Sequence, residues 1–181
     1  METVIGFVVG FALGIIGSWL FWKYLLWIRP DVLIASKIAV SMDEKTGKRV
    51  YRFKILNNGR HQVKDITLGA WVCDLMTVPG GQVSRGLFTF PLNNSQTLTL
   101  APNGNVDRPW GLTPEAVFRS VPDFDVEALL NEPEKRILIT LRVTDALSGT
   151  TVVQQRTFTN NDLVWGHFRL GDSLQIEHEQ S

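Results

Sequence analysis

The segment VIGFVVGFALGIIGSWLFW (residues 4–22) decides how the rest of the chain is interpreted. Ser18 is its only clearly polar side chain, and about 19 apolar residues suffice for a helix to cross the hydrocarbon core of a bilayer. A lone spanning segment has to be helical, because every backbone N–H and C=O group must be paired within the segment itself. The sequence therefore predicts one N-terminal transmembrane helix, with residues 1–29 as the membrane unit.

Aromatic and basic residues gather at the C-terminal end of this segment, where they would anchor it in the lipid headgroups. The N-terminal flank offers only Glu2 as a side-chain charge. The positive-inside rule then predicts that the rest of the chain is cytoplasmic, at a plasma or inner membrane. A cleaved signal peptide is the alternative, but no Lys or Arg precedes the apolar run and no Ala-x-Ala-like site follows it. The predicted interface residues are Trp19, Trp22, Lys23, Tyr24, Trp27 and Arg29.

Small residues recur every four positions along the same helix. A row with this spacing lies on one helix face and leaves a shallow groove in which a second helix can approach closely. The pattern predicts self-association into a homo-oligomer within the lipid bilayer, although glycine is also simply common in membrane helices. The predicted packing residues are Gly6, Gly10 and Gly14, continued by Gly17 and Ser18.

Residues 30–181 make a second unit of a size typical of one domain. Lys plus Arg and Asp plus Glu both number 18, so no overall electric field favours binding to nucleic acid. Cys73 is the one cysteine, which excludes an intrachain disulfide and agrees with a reducing compartment. Because Cys73 lies in an apolar strand pattern, we expect a small buried side chain rather than a nucleophile.

After Pro30 the chain reads as strands separated by turn residues. Ile137, Ile139, Leu141 and Val143 alternate so that all four fall on one face of a strand. Many strands without strand–helix–strand alternation predict a mainly β, immunoglobulin-like two-sheet sandwich. The predicted strands cover 32–41, 49–57, 63–75, 83–92, 97–100, 135–145, 150–159 and 173–177, with one short helix over 123–131 that Asp123 and Asp125 would cap.

The sequence shows no motif of a catalytic or metal-binding site. His61, His167 and His178 are scattered, and no cluster of Cys, His and carboxylate residues has the spacing of a zinc site. The sequence contains no phosphate-binding glycine loop and no nucleophile elbow. We therefore expect no catalytic residues, no metal ligands and no cofactor, and a protein that is not an enzyme.

Short motifs follow one another in a fixed order along residues 29–177. They are Arg29-Pro30, Ser36-Lys37-Ile38-Ala39-Val40, Gly47-Lys48, Tyr51-Arg52-Phe53, Asn57-Asn58-Gly59-Arg60, Ser148-Gly149-Thr150, Gln155-Arg156 and Trp165-Gly166-His167-Phe168-Arg169. In this order they resemble the immunoglobulin-like cytoplasmic domain of inward-rectifier potassium channels. That family has Arg before Phe in the last motif, whereas Phe168 precedes Arg169 here. The resemblance implies a tetramer, and its motif positions are Asn57, Arg60, Arg156, Trp165, Gly166, His167 and Phe168.

Other features of that family are missing from these 181 residues. These residues contain no pore helix and no Thr-Val-Gly-Tyr-Gly filter, so we expect no selective potassium pathway from this chain alone. The basic cluster that binds phosphoinositides in the family is reduced to Lys23, Arg29 and Lys37, so specific binding of that lipid is not expected either.

Two hypotheses remain. In one, self-associated helices and a cytoplasmic sensing ring form an unselective channel or a membrane-perturbing effector. In the other, the sandwich is a membrane-tethered module that binds an unknown ligand or protein and forms no pore.

The orientation is testable by chemical labelling. We expect a membrane-impermeant thiol reagent to leave Ser173→Cys unlabelled in intact cells and to label it after permeabilisation, because the basic side chains follow the span. Efficient labelling of Ser173→Cys in intact cells would show that the sandwich lies on the other side of the membrane.

Overall fold

The computed structural model describes residues 2–104, 112–122 and 124–178. A long N-terminal helix, α1 (Glu2–Trp27), precedes a sandwich-like domain built mainly of strands, which confirms the predicted fold class. A second, short helix is α2 (Val126–Leu130). The strands are β1 (Val32–Ile34), β2 (Ile38–Met42), β3 (Arg49–Asn57), β4 (Val63–Val78), β5 (Gly81–Thr89), β6 (Gln96–Leu100), β7 (Glu115–Arg119), β8 (Lys135–Asp145), β9 (Thr151–Phe158), β10 (Leu163–Trp165), β11 (His167–Phe168) and β12 (Ile176–Glu177).

Several element boundaries differ from the prediction. The expected strand over 32–41 is divided into β1 and β2, and Lys37 in the break reaches across to the Asp162 carboxylate at 2.9 Å. Strands β7, β10 and β11 were not predicted, because each is short. β7 and β10 form by pairing with distant segments, and β11 is a two-residue strand that pairs with the nearby β12. Asp125 does cap α2, its carboxylate accepting a hydrogen bond from the Ala128 N–H at 3.1 Å. Asp123 lies outside the described residues.

Two five-stranded sheets form the sandwich. In the first sheet β3 pairs with β1, β2 and β7, and β10 adds to β2 in parallel. In the second sheet β4 pairs with β5 and β6 along different parts of its length, while β8 lies between β4 and β9. Because β3 runs from Arg49 to Asn57 and Asn57 pairs with Val32 just after α1, the C-terminal end of β3 marks the end of the sandwich nearest the helix.

The core fills the space between the two sheets. The predicted inward residues Ile137, Ile139, Leu141 and Val143 of β8 are all buried, as are Ile66, Leu68, Ala70 and Val72 of β4. Tyr51, Phe53 and Ile55 face them from β3. Phe53 makes edge-on ring contacts with Phe90 at 5.7 Å and Phe158 at 6.0 Å between centroids.

Burial changes the chemistry of two core side chains. Cys73 is free and buried, as expected, and burial raises the pKa of its thiol. Burial also raises the pKa of Tyr51, whose ring is completely covered. Both groups are therefore neutral at physiological pH.

A C-terminal strap, residues 166–177, covers part of the outer face of the first sheet. Phe168 packs there against Ala35 and Ala39. Beneath the strap lies Lys54, which is 0% exposed and pairs with the Glu115 carboxylate. Its ammonium group also donates hydrogen bonds to the strap carbonyls of Arg169 at 2.6 Å and Gly171 at 3.0 Å.

The segment that leads into the strap is held by a second ion pair. Burial alone would raise the pKa of Asp162, but hydrogen bonds from Lys37 and Thr159 outweigh it and hold the pKa below its ordinary value. A carboxyl whose folded-state pKa is lowered stabilises the fold above its unfolded pKa, and this stabilisation is lost as the pH falls through the folded pKa. The stabilisation from this ion pair is therefore fully present at neutral pH and decreases in acid.

The packing of β8 can be tested with one substitution. Ile139→Asp should unfold the sandwich, because an unpaired carboxylate in an apolar core costs several kcal/mol, comparable with the about 5–15 kcal/mol of a whole domain. Val153→Asp on β9 is the matched control, since Val153 is 59% exposed. Thermal melting followed by circular dichroism should show no cooperative transition for Ile139→Asp and a nearly native one for Val153→Asp. A cooperative, native-like melt of Ile139→Asp would contradict this packing.

Candidate functional site

The site most closely tied to the apolar helix is the junction between α1 and the sandwich. The helix ends at Trp27, and the next residue, Ile28, is 3% exposed and donates its N–H to the Tyr24 carbonyl at 3.1 Å. Pro30 is also buried. The chain therefore enters the sandwich directly after α1, without a free linker.

Trp27 connects the helix to the turn between β3 and β4. Its indole makes an edge-on contact with the His61 ring, with centroids 6.4 Å apart, and the Arg60 guanidinium lies 5.9 Å from its centroid. Each is an attraction between a ring face and a positive edge or cation, and an exposed cation–π pair contributes about 0.5–1 kcal/mol. Trp27 is itself 64% exposed, so the contacts leave one side of the indole open.

Asn57 shapes this turn from within. Its buried side-chain amide donates to the carbonyls of His61 at 2.8 Å and Ala101 at 2.9 Å, and its oxygen accepts the Gly59 N–H at 3.0 Å. Asn58 is joined to Asp31 by a backbone hydrogen bond of 2.8 Å and a side-chain hydrogen bond of 2.7 Å. The turn is thus fixed both to the sandwich and to the segment that follows the helix.

Asp145 extends the junction to the turn between β8 and β9. Its carboxylate is 1% exposed and lies 3.6 Å from the His61 Nδ1. One carboxylate oxygen accepts hydrogen bonds from the N–H groups of Leu147 at 2.9 Å and Ser148 at 2.7 Å, and from the Ser148 hydroxyl at 3.0 Å. His61 therefore lies between the helix end and a tightly bonded turn of the second sheet.

A cavity of ≈ 240 Å³ opens at this junction. Its charged lining comes from Arg29, Asp31, Arg60 and Asp145, with Trp27 as an aromatic wall. Cations and carboxylates are mixed, so the cavity is not a strongly basic site. The contacts of Trp27, Arg60, His61 and Asp145 join three elements: the helix end, the β3–β4 turn and the β8–β9 turn.

The predicted interface residues lie at the C-terminal end of α1, on the side of the junction. The Lys23 ammonium is 5.7 Å from the centroids of both Trp19 and Trp22, and Tyr24 contacts Trp27 with ring centroids 6.3 Å apart. The structure brings Trp27, Arg29, Asn57 and Arg60 together at the junction. The other motif residues lie elsewhere in the sandwich.

Those other motif residues hold the strap and the first sheet. Trp165 receives the Arg49 guanidinium 5.4 Å from its ring centroid, and Phe168 anchors the strap. Gly166 has φ of +138°, and a side chain there would collide with the Glu177 carbonyl, so only glycine fits. The Arg156 guanidinium donates to the Ile34 carbonyl at 3.1 Å. His167 is exposed on the strap.

Three titratable residues of the junction, Asp31, His61 and Asp145, were not predicted as site residues from the sequence. Asp31 and Asp145 come from segments 114 positions apart in the numbering, since 145 − 31 = 114, and only folding brings both to the same cavity. A partial signal existed in Asp145-Ala-Leu-Ser-Gly, because an aspartate that starts a turn commonly accepts N–H groups two and three residues later. Within the residues that the structure describes, no group of three or more His, Cys, Asp or Glu side chains could hold a metal ion.

Comparison with known proteins adds no relative. The chain matches no protein-family model, and the search of curated proteins found no match either. An apolar N-terminal helix followed by a mainly β domain agrees in general shape with the channel resemblance. The function therefore has to be argued from the geometry.

The coupling through Trp27 predicts a local effect on the β3–β4 turn. Trp27→Ala should speed hydrogen exchange of the bonded Asn58 and Gly59 amides by roughly two- to fivefold, the equivalent of about 0.5–1 kcal/mol. The global melting temperature should change little, because Trp27 is largely exposed. Trp22→Ala is the control, since Trp22 lies earlier on the same helix, where the Lys23 ammonium contacts its ring. Equal exchange in the wild type and Trp27→Ala, or the same acceleration in Trp22→Ala, would contradict the coupling.

Proposed function

We propose that the chain is a single-pass membrane protein whose sandwich is a cytoplasmic module for sensing a ligand or binding a protein, and whose helices self-associate. The observation that carries this proposal is the segment Gly6–Leu25, which is long and apolar enough to cross a membrane and has 0% of its residues buried. Exposing large apolar side chains to water is unfavourable, with a free-energy cost of about 25 cal/mol for each Å² of apolar surface. A bilayer removes this cost, and a helix is the form that a single segment takes there.

The glycine row supports self-association. A side-chain carbon built on Gly6, Gly10, Gly14 or Gly17 meets no atom of the protein within 4 Å. This face of α1 is thus open along its length, as close packing against a second helix requires. Lipid tails are as apolar as the helix itself, so close backbone contact supplies the attraction between helices. The stoichiometry that the channel resemblance implies is four.

The distribution of anchors supports a cytoplasmic sandwich. Lys23 and Arg29 lie at the end of α1 that joins the sandwich. The Trp19 and Trp22 rings contact Lys23, and Arg29 lines the junction cavity together with Trp27. Basic residues favour the cytoplasmic side of a membrane, whereas the other end of the helix has Glu2 as its side-chain charge. The junction would then lie at the inner membrane surface.

A second candidate is the subunit of an unselective channel or a membrane-perturbing effector. The junction favours it, because a link from the helix end to two turns of the sandwich is what a sensor needs to move a helix bundle. The helix itself favours the first candidate, a membrane-tethered module without a pore. The hydroxyl of Ser18 donates to the Gly14 carbonyl at 2.8 Å, so the one polar group within the apolar run is bonded to its own helix. A pore of such helices would be hydrophobic and would close by expelling water.

Substitution of the central glycine tests self-association. Gly10→Leu should convert the oligomer to monomers or loosen it, because a branched side chain separates two backbones that nearly touch. Membrane insertion should persist, since leucine favours insertion. Ala12→Leu is the control, because it places the same leucine side chain on the opposite helix face. Oligomer mass in lipid nanodiscs is the measurement. An unchanged mass for Gly10→Leu, or equal loss in Ala12→Leu, would contradict the proposed interface.

The same proteins distinguish the two candidates. Under the channel hypothesis, wild-type protein should conduct ions across liposomes and Gly10→Leu should abolish the leak. Under the tether hypothesis, neither protein should conduct under any condition. A leak that persists in monomeric Gly10→Leu would contradict both.

A further inference from the structure

Two arginines are cross-strand neighbours on the outer face of the first sheet. Arg52 of β3 lies directly opposite Arg119 of β7, and the neighbouring pair, Phe53 and Phe118, points into the core. Side chains directly opposite on antiparallel strands share a face, with Cβ atoms about 4.5–5.5 Å apart. Like charges in this position are destabilising, and a bound anion between them would remove the repulsion.

These arginines line an open cavity of ≈ 400 Å³. His167 from the strap and Lys45 from the β2–β3 turn add two more basic side chains to its lining, and Asp43 and Glu44 of the same turn also line it. No ion pair within the described parts of the chain includes Arg119, which is exposed to solvent. Three separate elements, β3, β7 and the strap, therefore direct basic side chains to one space.

The lining is held in place by bonds outside the cavity. Arg52 donates one of its N–H groups to the hydroxyl of Ser41, which is fully buried. His167 follows Gly166, whose N–H donates to the Val40 carbonyl at 2.9 Å. Asp43 accepts the Thr46 hydroxyl at 2.7 Å within the β2–β3 turn. Pre-positioned side chains lose less conformational entropy when a ligand binds.

We propose that this cavity binds the phosphate group of a small, soluble phosphorylated molecule. Guanidinium groups match phosphate oxygens with two parallel N–H···O bonds, so a pair of arginines favours phosphate over a singly charged ion. The cavity is larger than a phosphate alone, and the carboxylates of Asp43 and Glu44 can accept hydrogen bonds from hydroxyl groups on the rest of the molecule. A sugar phosphate has both the phosphate group and the hydroxyl groups.

Position in the fold favours a soluble ligand over a lipid headgroup. Arg52 lies five residues before Asn57, since 57 − 52 = 5, and Asn57 is at the junction end of β3. At about 3.4 Å for each residue, the strand carries Arg52 roughly 17 Å away from that end. The site is separate from the junction, and binding there does not depend on whether the helices self-associate.

The test is a titration of the full chain in phosphatidylcholine nanodiscs at constant ionic strength. Inorganic phosphate and glucose 6-phosphate are the probes, and isothermal titration calorimetry is the measurement. We expect saturable binding of both, with the sugar phosphate binding more tightly. Arg119→Gln should weaken binding at least tenfold, since a charge-assisted hydrogen bond contributes about 1.5–3 kcal/mol. Arg119→Lys keeps the charge without the paired N–H geometry and should recover only part of the affinity.

Arg142→Gln is the matched control, because Arg142 is an exposed arginine on β8 in the other sheet. It removes the same charge and should leave binding unchanged. No saturable binding by the wild type would overturn the proposal. Equal weakening by Arg142→Gln would reduce it to a general charge effect, and full recovery in Arg119→Lys would exclude the paired-arginine geometry. Binding only to nanodiscs that contain phosphatidic acid would identify a lipid headgroup and exclude the soluble ligand.

Discussion

An apolar helical segment that is not buried against any described part of the protein is the constraint on which the rest of the structure depends. None of the segment Gly6–Leu25 is buried, although it carries a run of large apolar side chains. A bilayer would remove the cost of this exposure, and insertion would restrict where the sandwich can lie. Because Ile28 and Pro30 are already part of the sandwich, the junction end of the domain lies against the membrane surface if the helix spans it.

A buried ion pair organises the outer face of the first sheet. Lys54 and Glu115 are withdrawn from water beneath the C-terminal strap, and both also bind the strap backbone. A buried pair gains little net stability over apolar residues, but the loss of one partner leaves an uncompensated charge that costs about 3–5 kcal/mol. The pair therefore specifies where the strap lies. This matters for the proposed phosphate site, because the strap carries His167 to its edge.

The junction and the proposed phosphate cavity occupy different parts of the same sandwich, and β3 runs between them. Arg52 lies on one part of this strand and Asn57 ends it beside the helix. β3 is paired along both of its edges and joins these two parts within one sheet.

Local patterns in the sequence determined the apolar helix, its glycine face and the inward residues of β8, because helical and strand periods are properties of neighbouring residues. The fates of Arg52 and Lys54 were decided only by tertiary structure. They are two positions apart on the same face of β3, and alternation assigns both to solvent. The strap buries Lys54, whereas Arg52 lines an open cavity with Arg119. The pairing of β7 and the path of the strap depend on contacts between distant segments, which no local period records.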